Sequence, residues 1–237
     1  MAKFTSSPFT MFGPRQPTRL AEEDSVVVIG LGRFGSALAL ELMASGTEVL
    51  GIDGDEEVVQ AHNRLLTHVV RADSTKEDTL LQLGVPEFSS VVVAIGGDIQ
   101  ANILTASLLL KLGIPNIWAK SVSEPHGEIL RQLGVNHVIY PEKDMGKRVA
   151  HLVRGVMQDY IDIGENFALV KTAPPQEILD KPLSQTKVRT VHGVTVTAFH
   201  RAGRGWNYAT METVIEEGDI ILVAGETKRV ESFSRLP

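Results

Sequence analysis

From Ser25 onward, short apolar runs alternate with stretches whose apolar residues recur every three or four positions. The runs at 26–30, 48–53, 68–71, 91–95, 116–120 and 137–140 read as strands, and helices are predicted between them from Phe34, Glu56, Lys76, Asp98 and Pro125 onward. Most of these helices close at a glycine (Gly46, Gly84, Gly113 or Gly134), the residue that most readily takes a left-handed helix end. VVVIG and VVVAIG are apolar at every position, the pattern of strands covered by helices on both faces of a parallel sheet. Strict alternation of strand and helix predicts a doubly wound, Rossmann-like α/β domain over residues 25–143.

The pattern then changes. Val149, Leu152, Val153 and Val156 follow helical spacing, and the turn-rich DIGEN at 162–166 comes next, so residues 144–165 read as a connecting helix and linker. Beyond it, 167–172, 194–200 and 219–224 read as strands and 201–205 as a turn, which predicts a smaller α+β domain over 166–237. Residues 1–24, with Pro8, Pro14 and Pro17 among serines and threonines, read as a flexible extension. They carry one early lysine and no continuous apolar core, so no signal peptide is expected there.

Composition narrows the function. With 237 residues, of which 43% are hydrophobic, the chain can fill two unequal cores. A net charge of −6 argues against a basic surface of the kind that tracks nucleic acid, so no nucleic-acid partner is expected. The absence of cysteine excludes disulfides, thiolate metal sites and cysteine nucleophiles, and fits a reducing cytoplasm. No apolar run approaches the roughly 20 residues of a membrane span, so a membrane role is expected only through a partner.

The chemistry gathers in the first half. Gly30, Leu31, Gly32, Arg33, Phe34 and Gly35 form a G-x-G-x-x-G between a strand and a helix, where glycines let the backbone approach phosphates at the positive end of a helix dipole. Asp53 ends the next strand about 20 residues on, where a carboxylate can hold ribose hydroxyls. Arg33 favours a ligand with extra phosphate oxygens, ATP, ADP or NADPH, although it also reads as a solvated loop residue. Asp73 and Ser74 after the third strand, Ile95, Gly96 and Gly97 at the fourth and Lys120 at the fifth all stand at carboxyl ends of strands, where open α/β sheets bind ligands. His192 and His200 have no partnered carboxylate pattern, and no P-loop, HExxH or GxSxG is present. The site therefore reads as a sensor and not as an enzyme, with a small NAD(P)-dependent oxidoreductase or a membrane-independent nucleotide-binding adaptor as the alternatives.

The strings VIGLGRFGSALA from Val28, VLGID ending at Asp53, ADST from Ala72, VVVAIGGDIQAN from Val91, PNIWAK ending at Lys120 and GVNHVIYPEKDMG from Gly134 resemble RCK proteins, the regulators of potassium conductance, of the KtrA/TrkA type. The resemblance spans residues 25–237. It implies binding of ATP or ADP, and in some members NAD(H). It also implies dimers assembled into an octameric ring beneath a potassium-translocating membrane subunit of the KtrB/TrkH type, at the cytoplasmic face of the membrane. Carried onto this chain, Gly30, Gly32, Phe34 and Gly35 belong to the phosphate loop, Arg33 faces the terminal phosphates and Asp53 holds the ribose. Asp73 and Ser74 flank the adenine, Ile95 and Gly96 line the nucleotide, and Lys120 points toward the phosphates. Glu142 approaches the nucleotide of the partner subunit, where a carboxylate beside phosphate calls for Mg²⁺ or Ca²⁺ between them. Its other reading is a favourable charge at the head of the following helix. In several relatives the C-terminal lobe binds cyclic di-AMP, and Val188, Arg189, His192 and Gly193 occupy the matching segment. Ala209 and Met211 replace expected prolines, and a lobe that only dimerises is the alternative.

Overall fold

A computed structural model describes residues 25–154 and 157–237, which divide into two compact units meeting at residues 141 and 142. In the first unit, strand and helix alternate as β1 (Ser25–Ile29), α1 (Arg33–Ala44), β2 (Glu48–Asp53), α2 (Glu56–His62), β3 (His68–Arg71), α3 (Glu77–Gln82), β4 (Ser90–Val93), α4 (Ile99–Lys111), β5 (Asn116–Lys120), α5 (Glu124–Leu133) and β6 (His137–Ile139). All six strands are parallel, in the order β3-β2-β1-β4-β5-β6. The order reverses between β1 and β4, and that reversal opens a crevice at the carboxyl ends of the central strands. Helices are capped as the sequence leads one to expect. Asp55, Asp98 and Ser123 accept first-turn N–H groups of α2, α4 and α5, and Gly134 closes α5 at φ +103°. Val27, Ile29, Ile52, Val91, Val93 and Ile117 are buried against Leu80, Ala106, Leu109 and Leu130 on one face of the sheet, while Val28 and Val49 meet Ala39 on the other. Trp118, on β5, stacks on His137 of β6 with ring centroids 4.0 Å apart.

The second unit opens with α6 (Pro141–Arg154), followed by β7 (Asp159–Gly164), β8 (Phe167–Thr172), α7 (Leu183–Thr186), α8 (Val188–Val191), β9 (Val194–Arg201), β10 (Gly205–Tyr208), β11 (Ile220–Glu226) and α9 (Thr227–Phe233). Its five strands pair antiparallel in the order β10-β9-β11-β8-β7. Tyr160, Val170, Val196, Ile215, Val223 and Phe233 fill its core. Arg201 ties the sheet to the loop before β11, donating to both carboxylate oxygens of Asp219 and to Glu216. Trp206 packs edge-on against His200 across the β9–β10 pair.

Two sequence readings change. The segment taken as linker contains β7, with Tyr160 buried and the strand paired to β8. Only Glu165 and Asn166 turn, both with positive φ, in the two-residue hairpin connection that suits strand twist. Helix α6 begins at Pro141 and not near Asp144, because proline is well placed at a first helical position and Glu142 and Asp144 follow in the first turn. The turn expected at 201–205 is present: β9 runs through Arg201, residues 202–204 turn, with the Arg204 N–H donating to the Arg201 carbonyl at 3.0 Å, and β10 resumes at Gly205. The expected extension over residues 1–24 and the helical position of Val156 lie outside the described residues.

Candidate functional site

At the carboxyl edge of the parallel sheet lies a cavity of about 370 Å³, open to one side. Its walls come from four strand ends: Ile29, Gly30 and Gly32 after β1, Asp53 and Gly54 after β2, Ala72 to Thr75 after β3, and Ala94 to Gly97 after β4.

Each glycine of the loop has a separate physical reason. Gly30 has φ +92°, and a Cβ there would stand 2.9 Å from the backbone nitrogen of Ile95, so the β1 and β4 loops touch through backbone alone. A Cβ on Gly35 would overlap the Gly30 carbonyl oxygen, at 1.8 Å, so the first turn of α1 packs directly against the loop. Gly32 differs, with nothing within 4 Å of its missing side chain. It heads α1 without a side-chain cap, and the first turn of that helix carries no acidic residue. Unsatisfied N–H groups and the positive end of the dipole therefore face an open position, a ready anion site.

Asp53 is half-buried, and both its oxygens already accept backbone N–H groups, from Leu31 at 2.7 Å and Asp55 at 2.9 Å. It thus shapes the glycine loop as well as facing the cavity, and each oxygen keeps a lone pair for a hydroxyl. Asp73 accepts from both the hydroxyl and the N–H of Thr75 and pairs with Lys76. These bonds, the Thr75 hydroxyl first, hold its carboxyl below the ordinary carboxylate value. Ser74 is buried and shares a hydrogen bond with Thr105 at 2.8 Å.

The remaining sequence candidates are distributed unevenly. Ile95 and Gly96 line the cavity. Lys120 is buried just behind that wall, its Nζ 3.0 Å from where a Gly96 Cβ would be and 5.9 Å from the centre of the Phe34 ring. Arg33 is exposed at the first position of α1, and neither it nor any other Arg or Lys forms part of the cavity wall among the described residues. Glu142 stands in the first turn of α6, in the second unit. Among the described residues, no three His, Cys, Asp or Glu side chains gather in a metal-binding group.

Sequence reading missed Asn102, which is fully buried and donates to the carbonyls of Ile95 at 2.7 Å and Lys120 at 3.1 Å. Its signal was an amide at helical spacing from Ile99, Ala106 and Leu109, on the stripe that a helix turns inward.

The second unit has a cavity of its own, about 390 Å³, lined by α7, α8, the start of β9 and residues 209–211. Val188 and Arg189 line it. His192 instead pairs with Glu177 and packs edge-on against Phe233, and Gly193 sits under Arg229, so neither forms part of that wall.

A parallel sheet in this order with a glycine loop at its switch point, followed by a five-stranded antiparallel lobe, defines a Rossmann-like domain joined to a small second domain. Residues 26–141 match the TrkA-N domain and residues 167–237 the TrkA-C domain. The Ktr system potassium uptake protein A of Bacillus subtilis (strain 168) is 38% identical over 87% of this chain and 93% of its own length. The protein of that name from Vibrio alginolyticus is 32% identical over 84% and 90%. The RCK domain of GsuK superposes with a TM-score of 0.63 at 18% identity, covering 94% of this chain and 50% of the GsuK chain, and so shares the fold. The chain belongs to the KtrA/TrkA family of RCK proteins, which includes these two potassium uptake proteins. Among the described residues, no helix is long and apolar enough to cross a membrane.

Proposed function

We propose that this chain is the nucleotide-sensing regulatory subunit of a potassium channel or transporter, in which ATP and ADP at the glycine-loop cavity set states that gate ion flow. The observation that carries the reading is the uncapped head of α1 facing an open position at Gly32, with a carboxylate at the end of β2 across the same cavity. NAD(H) is the ligand to compare, since the GsuK channel, which has this fold at 18% identity and a TM-score of 0.62, is described bound to NAD. The chain acts by binding and not by catalysis. Both carboxylates on the cavity wall are occupied by internal donors, an arrangement suited to holding a ligand and not to moving a proton.

In the same proposal, dimers assemble into an octameric ring against a membrane subunit of the KtrB/TrkH type, which keeps the chain at the cytoplasmic face. Glu142 supplies one ligand to Mg²⁺ or Ca²⁺ when a terminal phosphate is present. The cavity beside Val188 and Arg189 accepts cyclic di-AMP.

Calorimetry on the full chain tests the central claim. ATP and ADP bind more tightly than AMP, and Arg33→Ala weakens ATP by about ten-fold or more while leaving adenosine nearly unchanged. Equal loss for ATP and adenosine would remove the assignment of Arg33 to the phosphates, and no binding by the wild type would remove the nucleotide reading itself.

A further inference from the structure

The cavity wall after β4 poses a mechanical problem. Ile95, Gly96 and Gly97 follow the strand as a loop with two consecutive glycines, the least restrained backbone a chain can build, yet all three line the cavity. This wall stands beside the glycine loop, because Gly30 abuts the backbone of Ile95 and the N–H of Ala94 donates to the carbonyl of Ile29 at 2.7 Å. It therefore borders the part of the cavity where phosphates meet the head of α1, whereas Asp73 to Thr75 lie after β3.

One buried side chain spans the gap that the glycines leave. Asp98 caps α4 by accepting the N–H of Ala101 at 2.9 Å, and this places Asn102 in the first turn of the helix, under the loop. The Asn102 amide uses both its N–H groups, one on the carbonyl of Ile95 and one on that of Lys120, and it is wholly shielded from water. Its orientation follows from its partners: two carbonyl acceptors demand the NH₂ end, and the Oδ1 has no hydrogen-bond partner among the described residues. A buried acceptor without a partner is costly. Keeping an amide here at that cost makes sense if cross-linking the two strand ends matters more than filling the space with an apolar side chain.

We infer that Asn102 is a positioning residue for the nucleotide phosphates: it locks the Ile95–Gly96 wall to the end of β5 and so holds the Lys120 ammonium behind Gly96. The inference rests on the nucleotide reading of the cavity. Without the clamp, the wall and the lysine are free to rearrange before binding, and affinity falls by the cost of ordering them again. The loss falls on ligands that reach the phosphate end.

The test compares ADP and adenosine binding to the full chain, for wild type, Asn102→Leu, Lys120→Met and the double variant. Asn102→Leu keeps the approximate shape and removes both donors. It should weaken ADP by about five- to ten-fold and adenosine by much less. Asn102 acts in part through Lys120, so the two losses should not add in the double variant. Should the leucine variant fail to fold, Asn102→Ser, which retains a single donor, should give an intermediate loss of ADP with the same selectivity. If the wild type binds ADP while both Asn102 variants lose ADP and adenosine equally, or lose neither, Asn102 is only a core amide and the inference is overturned. If the wild type binds no nucleotide at all, the reading of the cavity falls first and takes the inference with it.

Discussion

At the scale of single residues, the glycines of one short motif do different work, and substitutions separate them. Gly35→Ala forces a methyl into the Gly30 carbonyl, so the loop or helix must shift, at a cost on the order of 3 kcal/mol. Gly32→Ala meets no protein atom and keeps an ordinary φ of −63°, so it costs under about 1 kcal/mol as a poorer helix cap. Yet its methyl would occupy the position open to a ligand. Thermal unfolding paired with ADP calorimetry should show Gly35→Ala unstable and Gly32→Ala stable but weak in binding. A stable Gly35→Ala protein would contradict the close contact described above. The motif and Asp53 were legible because spacing alone brings them to one strand edge. Asn102 was not legible, since its role depends on which carbonyls the fold delivers to it, and those belong to residues 7 and 18 positions away.

Among elements, the parallel half was the easier to read. Its strands are buried on both faces and its helices have caps, so pattern and propensity agree. The antiparallel lobe hid β7 and β10, because edge strands bury little: Ile161, Ile163, Trp206 and Tyr208 are all exposed, and no alternation marks them. What holds that lobe at β9 and β11 is charge as well as packing. Asp219 is buried, accepts from the Arg201 guanidinium and the N–H of Glu216, and has Glu216 and His200 as its other charged or titratable neighbours. The Arg201 hydrogen bonds are the largest cause holding its carboxyl below the ordinary value of about 3.9. A lowered folded value means that the stabilisation is fully present above the unfolded pKa and is lost as pH falls through the folded one. Asp219→Asn should therefore lower the melting temperature at neutral pH, and the gap from wild type should close below about pH 4. A gap that persists unchanged into acid would assign the effect to shape and not to the ion pair.

For the whole molecule, the question is what covers its exposed apolar side chains. Helix α4 turns Asn102, Thr105, Ala106 and Leu109 inward, yet Leu104 and Ile99 remain 44% exposed, and Ile129 and Leu133 on α5 are similarly open. This division suits a helix that packs on its own sheet with one side and meets a second copy of the chain with the other. Light scattering at micromolar concentration with ADP present should report a dimer or larger species, and Leu104→Asp should shift it toward smaller ones. A wild-type monomer would overturn the assembled state. Fold class and family were legible across nearly the whole described chain, because glycine loop, strand ends and order of motifs all lie in local sequence. Assembly is not legible in the same way, because exposed apolar residues such as Leu104 and Ile129 have no periodic signature of their own.

The two tryptophans are divided evenly, one to each unit, and each lies against a histidine: Trp118 on His137, Trp206 against His200. Indole emission responds to the packing around the ring, so both halves of the chain carry a built-in optical probe. With Trp206→Phe or Trp118→Phe, the light that remains comes from the sheet that holds the glycine loop or from the antiparallel lobe alone. Events in the two halves thereby become separable in time, in one cuvette and without an added dye.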